Sequence, residues 1–376
     1  MKRSLFLVFL TFAAAGLLAR PVAAQPITGD AVTPLYIGSD RPLVRFSISG
    51  LVQRVEDGDL TLTQISTPVS LFIPLGRTLG VSARVAGART ESDSLATILG
   101  VADAQLAASL RVPVGAARVV ASLGVNLPTG IPEVTGPLGE DEAATAFLLG
   151  QPFYGFRTPI LNQGVNIAPG LTLALPLGDR LAIGVGVAHQ MRGAFEPLAE
   201  TGDRYEPGAE TLVTGGIDAR LAPGASATLD ISYVRYEPDV WVGEAYQTGD
   251  AVALTAQVTG AIGRHEVRLL GRIQQKADSE IPTETEAALG LNASVPFQAR
   301  ALANARLRAG RWARLGLTAQ ARTYSASEVF GSRTLLDLAA TPELRLGTRL
   351  GLFGRVSSTF GTHRSVEAGG GLALNL

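Results

Sequence analysis

A polar-apolar alternation of period two, repeated down nearly the whole chain, is what most limits the folds open to it. Between Arg118 and Leu127, Val119, Ala121, Leu123, Val125 and Leu127 fall on one face of an extended chain. Arg118, Ser122, Gly124 and Asn126 fall on the other, with Val120 the one apolar exception. Successive side chains of a strand point to opposite faces, so such a segment has one greasy side and one polar side. Ala227, Leu229, Ile231 and Tyr233 oppose Thr228, Asp230 and Ser232 in the same way. Val267, Leu269 and Ile273 oppose Arg268, Arg272 and Gln274, and Ala313, Leu315, Leu317 and Ala319 oppose Arg314, Thr318, Gln320 and Arg322. Leu336, Leu338, Leu344 and Leu346 oppose Asp337, Thr341, Glu343 and Arg345.

A secreted β-sandwich or solenoid also alternates; the connections separate the cases. Tight turns are expected at Leu75-Gly76-Arg77, Pro113-Val114-Gly115, Leu177-Gly178-Asp179, Ala222-Pro223-Gly224, Ile262-Gly263-Arg264, Ala309-Gly310-Arg311 and Leu346-Gly347-Thr348. Between them lie longer polar stretches, such as Thr90 to Gly100, Gly193 to Gly208 and Glu237 to Asp250. Short turns at one end and long loops at the other, joined by segments of about 10 residues, are the pattern of an outer-membrane barrel. The expected fold is all-β, a single transmembrane antiparallel up-and-down β-barrel of about 14 to 16 strands. The stretch from Ala287 to Arg308 is ambiguous, too long for one strand and awkward for two. The chain closes on the alternating Leu372-Ala373-Leu374-Asn375-Leu376.

The N-terminus agrees with that compartment. Lys2 and Arg3 precede an apolar run from Leu5 to Leu18, and Val22-Ala23-Ala24 supplies the small residues of a signal-peptidase site, with cleavage before Gln25. The run is shorter than the roughly 20 residues of a spanning helix. Residues 1–24 thus read as a signal peptide, 25–41 as a short periplasmic segment, and 42–376 as the barrel, with a long loop over 128–163. The absence of cysteine excludes disulfides, zinc–thiolate sites and cysteine nucleophiles. A net charge of −1 with scattered arginines offers no nucleic-acid surface.

If the apolar faces meet lipid, the polar faces line the lumen. This places Arg268, Arg272, Arg300, Arg306, Arg314, Arg322, Arg345 and Arg355 on the inner wall, with Asp218, Asp230, Asp337 and Glu343 facing the same space. Two readings stay open: a cross-linked polar lining that stiffens the barrel, and an arginine-lined path that steers anionic or amphipathic solutes. The longest interruption, Pro128 to Gln163, carries Phe147, Leu148, Leu149, Phe153, Tyr154 and Phe156, too apolar for a solvated tip. A short helix is expected from Asp141, as cap, through Phe147. Phe147, Leu149, Phe153, Tyr154 and Phe156 are the candidate constriction or ligand residues.

Gly100-Val101-Ala102-Asp103 opens one strand, and the next ends Asn126-Leu127-Pro128-Thr129-Gly130. A Gly-x-x-Asp followed by a strand ending Asn-Leu-Pro-Thr-Gly resembles the outer-membrane transporters of phenol-degradation (meta-pathway) operons. Those are distant relatives of the long-chain fatty-acid and aromatic-hydrocarbon uptake channels. The resemblance covers Gly100 to Gly130 and implies import of hydrophobic small molecules by a lateral or plugged route. The fatty-acid channels carry a sizeable N-terminal hatch, whereas here only Gln25 to Arg41 precedes the first strand candidate, so the 128–163 loop becomes the expected constriction.

Catalysis finds little support. His363-Arg364-Ser365 sets a base near a nucleophile, as a barrel phospholipase would, but the tip between the last two strands reads as an exposed turn with no acid to orient the imidazole. Glu91 with Asp93, and Glu140 to Glu142, read as solvated acidic tips. The expectation is a non-enzymatic outer-membrane channel for small hydrophobic or amphipathic molecules, with no cofactor or metal. Its expected partners are outer-membrane lipid, lipopolysaccharide, the barrel-assembly machinery and the solutes themselves. The alternatives are a general diffusion porin with mild anion preference and a lipid-modifying barrel enzyme.

Overall fold

The computed structural model describes residues 44–76, 78–131, 142–158, 162–196, 204–241, 243–277, 295–327 and 330–376. The expected signal peptide and N-terminal segment, and the cap Asp141, lie outside the described residues. In chain order the strands are β1 (Arg45–Asp57), β2 (Leu60–Leu75), β3 (Leu79–Ser92), β4 (Ile98–Val101), β5 (Ala104–Val114), β6 (Ala117–Leu127), β7 (Asn166–Leu177), β8 (Leu181–Arg192), β9 (Tyr205–Glu206) and β10 (Glu210–Ala222). They continue as β11 (Ala225–Tyr236), β12 (Asp239–Trp241), β13 (Glu244–Tyr246), β14 (Ala251–Ile262), β15 (His265–Lys276), β16 (Phe297–Ala309), β17 (Ala313–Tyr324), β18 (Arg333–Leu346), β19 (Leu350–Gly361) and β20 (Arg364–Asn375). One helix occurs among the described residues, α1 (Glu142–Gly150), where the sequence places it.

Sixteen of the strands form a closed antiparallel barrel. Each pairs with its sequence neighbour in the wall, and β20 returns to pair with β1 from Asn375↔Arg45 to Arg364↔Glu56. Closure leaves no unpaired edge, the condition for a sheet that must sit in hydrocarbon. The remaining strands are additions: β4 pairs with β3, and β9, β12 and β13 build a small sheet of their own. That small sheet packs Tyr205, Trp241 and Phe195 together. Among the described residues the ambiguous stretch holds one strand, β16; residues 278–294 lie outside them.

All seven expected tight connections are present, and their glycines (Gly76, Gly115, Gly178, Gly224, Gly263, Gly310 and Gly347) all have φ between 59° and 83°. That left-handed region is cheap for glycine and costly for other residues, so it fixes where each hairpin reverses. The opposite end holds the long connections, but two of its connections are also short, at Gly58 and at Thr362-His363.

The register settles the faces. Gln53, Val55 and Asp57 of β1 stand opposite Gln64, Leu62 and Leu60 of β2, and this parity carries around the wall. The opposite parity bears the exposed apolar rows, for example Leu171, Leu173 and Leu175 on β7 and Ile183, Val185 and Val187 on β8, with Val185 57% exposed. Water does not tolerate a continuous belt of this kind on a soluble protein. No helix of the described residues is long and apolar enough to cross a membrane; the strands do the crossing. The result is a membrane-spanning barrel of the bacterial outer-membrane kind.

Candidate functional site: a loop latched inside the barrel

The segment between β6 and β7 turns into the lumen at the long-loop end. Its base is held by one carboxylate. Asp103 accepts from Asn126 Nδ2 (2.7 Å), Gly130 N (2.8 Å) and Gln163 N (3.0 Å), joining both ends of the loop. Thr129 Oγ1 accepts from Ala104 N (2.8 Å) and donates to the Ala102 carbonyl (3.0 Å). The Gly-x-x-Asp and Asn-Leu-Pro-Thr-Gly residues therefore act as a clamp where the loop leaves the wall.

From that base the loop reaches the neighbouring wall of β1–β4 and, across the lumen, β17–β20. Ala146 and Leu149 of α1 pack on Ala88 and Ile98, and Thr145 donates to the Ala96 carbonyl at 2.8 Å. Phe147 stacks on Phe330 with centroids 5.7 Å apart. Phe153, 1% exposed, sits at the centre of a second cluster with Val55, Tyr154, Tyr324 and Leu335. Its ring meets Tyr154 at 4.7 Å, Phe330 at 4.9 Å and Tyr324 at 6.1 Å, all edge-to-face. The Arg333 guanidinium lies 5.0 Å over the same ring and pairs with Asp57 at 2.8 Å. Phe156 contacts Tyr154 at 6.5 Å and flanks both clusters.

Polar latches surround this apolar seat. Gln53 and Gln64, buried on β1 and β2, donate to the Tyr154 and Thr158 carbonyls at 3.0 and 3.1 Å. Tyr154 donates its hydroxyl to Asp57 at 2.7 Å; burial, reinforced by that carboxylate, raises its pKa, so the phenol stays a neutral donor. Arg322 is bidentate to Asp337 (2.7 and 2.8 Å) and also donates to the Pro152 and Phe153 carbonyls, each at 3.3 Å. Asp337 in turn accepts from Thr359 at 2.7 Å. Glu367, 5% exposed, takes Arg157 of the loop on one oxygen at 2.7 Å and Arg355 of β19 on the other. A carboxylate shared by two guanidiniums is compensated in a way a lone buried charge is not.

The residues singled out from sequence thus fall into two groups. Phe147, Leu149, Phe153, Tyr154 and Phe156 stand together in the inward loop, and Arg322, Asp337 and Arg355 stand around it. Arg268, Arg272, Arg300, Arg306, Arg314, Arg345 and Asp230 share the inner parity of the wall, with Arg300 directly opposite Arg322. Arg306 pairs with Glu266 at 3.6 Å, and Arg272 donates to Gln274 at 3.0 Å. Sequence reasoning passed over Gln53, Gln64, Asp57, Arg157, Arg333, Phe330 and Glu367. Those on strands look like any other inward position, and only the register brings them to the loop, while Arg157 lies in the loop itself and Phe330 in the β17–β18 connection.

One expectation is corrected. His363 does not sit in an exposed turn: it is 3% exposed, with its ring 5.2 Å from Tyr154 and 6.4 Å from Phe153. The incoming loop covers what would otherwise be a solvated tip. Neither ring nitrogen has a hydrogen-bond partner among the described residues, so no base–nucleophile contact with Ser365 exists. Burial pushes its pKa down to about 4, aided by Arg322 and Arg333 and opposed by Asp57 and Asp337. Of the acidic tips, Glu91 is paired with Arg89 at 2.7 Å, while Glu140 and Asp141 lie outside the described residues. No group of three or more potential metal ligands occurs among the described residues.

No protein-family model matches the chain, and no curated protein matches it. Among solved structures, an outer-membrane channel from Pseudomonas putida F1 is 10% identical with a TM-score of 0.41, covering 92% of this chain and 100% of its own. CdiB from Acinetobacter baumannii is 11% identical with a TM-score of 0.49, covering 89% of this chain and 60% of its own. An anion-selective porin from Comamonas acidovorans is 11% identical with a TM-score of 0.39, covering 89% and 100%. At these levels of likeness, the functional reading rests on this chain's own geometry.

Proposed function

We propose that this protein is an outer-membrane channel that passes small hydrophobic or amphipathic molecules, with the β6–β7 loop as its gate. The observation that carries the reading is the inward loop itself. An aromatic segment is held against the inner wall by separate, individually modest latches around one apolar seat, an arrangement suited to opening and reseating. The wall it leaves free is polar, as a solute path requires. The outer belt suits outer-membrane lipid and lipopolysaccharide, and insertion by the barrel-assembly machinery belongs to the same proposal. A preference for hydrophobic solutes is supported by the aromatic seat that the loop uncovers when it lifts, and accords with the phenol-transporter-like motif at its base. Deletion of residues 140–156 is expected to raise flux of such solutes into liposomes. Equal uptake of every solute tried, with and without the loop, sinks the gate.

A second reading, a diffusion porin with anion preference, is favoured by the arginines on the inner faces of β15–β19. Charge reversal at Arg314 and Arg322 then shifts the reversal potential of the loop-deleted channel toward cations; an unchanged potential removes the arginines as a filter.

A further inference from the structure

Near the short-turn end, the inner wall carries a cluster that the gate does not use. Arg308 of β16 stands directly opposite Arg314 of β17, and Arg314 opposite Glu343 of β18. Arg345 is the next inward residue after Glu343. Like charges facing each other across a ladder destabilise it, and a single carboxylate does not offset three guanidiniums. No ion pair joins Arg308, Arg314 or Arg345 to an acid among the described residues, and Arg345 Nε and Nη2 are buried without a hydrogen-bond partner. Nearby arginines are already committed: Arg306 to Glu266, and Arg355 to Glu367. On the opposite side of the barrel, Arg111 and Arg118 share the inner parity near the same end, with Asp218 of β10 the carboxylate between the two groups.

Beside the cluster the wall is apolar. Phe353 of β19 stands opposite Glu343 on one side and Gly371 of β20 on the other. Its ring lies over Gly371, where a Cβ would come within 2.7 Å of Phe353 Cζ. Leu51 lies over Gly369 in the same way, at 2.8 Å. Both glycines let a bulky side chain lie flat along the wall, which leaves a smooth apolar strip next to three uncompensated guanidiniums.

Building on the channel reading, we infer that the mouth at the short-turn end, the periplasmic side of such barrels, holds a binding site for amphipathic anions. Arg308, Arg314 and Arg345 take the anionic head through charge-assisted hydrogen bonds, and Phe353 and Leu51 carry the apolar body. The site then serves as the last station of a path whose first is the aromatic gate.

The test is equilibrium dialysis of labelled octanoate, octan-1-ol and inorganic phosphate against the full protein in phosphatidylcholine nanodiscs, with empty discs as baseline. Octanoate is expected to bind above baseline and more tightly than either other probe. R314Q/R345Q is expected to weaken octanoate about a hundredfold, roughly tenfold for each of its two lost charged contacts, and F353A to weaken it severalfold. R314K/R345K, which keeps the charge, is expected to retain octanoate, R89Q, on the outer face of β3, is expected to leave binding unchanged, and heat-modifiable mobility checks that each barrel remains folded. Octanoate binding at baseline, or unmoved by R314Q/R345Q, overturns the site. Phosphate binding as tight as octanoate, or octan-1-ol as tight, overturns its amphipathic character. The channel reading is judged separately, by solute flux through the loop-deleted barrel. Flux without octanoate binding removes only the site, and binding without flux removes only the channel.

Discussion

Phe153→Ala separates the seat of the gate from the wall that holds it. The ring is 1% exposed and touches Tyr154, Phe330, Tyr324 and the Arg333 guanidinium. Truncating such a phenylalanine costs about 3–5 kcal/mol in transfer and cavity terms. None of that energy belongs to the barrel ladders, so the loss falls on the seated loop alone. Four kcal/mol multiplies the population of the unseated loop by roughly a thousandfold, since each 1.4 kcal/mol is about a factor of ten. The remaining latches, about 1 kcal/mol each for the neutral bonds from Gln53 and Gln64 and more for the charged ones, are present in both proteins and do not offset the loss. Two assays read the outcome: conductance in a planar bilayer, and limited proteolysis within residues 142–158, with heat-modifiable mobility as the check on the barrel. The expected variant is a folded barrel that opens more often and is cleaved in the loop. A folded F153A barrel with wild-type conductance and an uncleaved loop refutes the argument that aromatic packing holds the gate.

Three further outcomes follow from the same contacts. Asp103→Ala removes three bonds to a carboxylate at the loop base, worth about 3 kcal/mol together once exposure is discounted; hydrogen exchange at Gly130 and Gln163 should rise, and unchanged protection would count against the clamp. Glu367→Gln leaves Arg157 and Arg355 without their shared counter-charge, an expected loss of about 3 kcal/mol in loop seating, and a double-mutant cycle with Arg157→Ala should show strong coupling; additive effects would show that the pair does not latch the loop. His363 is neutral when the loop is seated, with a pKa of about 4 against an unperturbed value of about 6.5, so the unseated state binds the extra proton between those values. Seating is therefore fully stable above about pH 6.5 and weakens as pH falls toward 4, by at most ~3 kcal/mol. In His363→Phe that slope should vanish from proteolysis rates, and its persistence would assign the pH dependence to another group.

The barrel was legible because its cause is local and repeated. Lipid imposes one sign of alternation on every strand, and glycines such as Gly76 and Gly310 mark each reversal without reference to distant residues. The loop's aromatic content was legible too, since Phe147 and Phe153 are out of place in water. Where that loop docks was not. Gln53, Gln64 and Glu367 are polar residues on inward positions, like Ser47 or Gln298, and what distinguishes them is the height at which the register sets them against a segment more than ninety residues away. His363 was misread for the same reason: from its neighbours it is a turn histidine, and only the arrival of Phe153 and Tyr154 removes it from solvent. Asp103 lies between these cases, visible as a motif but not as a clamp until Gly130 and Gln163 are seen at its oxygens.

The clamp at Asp103 has a kinetic side. Because the loop is anchored at β6 and at β7, a gate that lifts from its seat remains tethered over it, at an effective concentration on the order of millimolar for a short flexible tether. Reclosing is then a first-order event within one molecule. It is indifferent to how many barrels the membrane holds and to any soluble factor, and the fraction of time spent open is a property written into each chain separately. If the proposed gate works one chain at a time, the membrane's permeability is graded by copy number instead of switching as a whole.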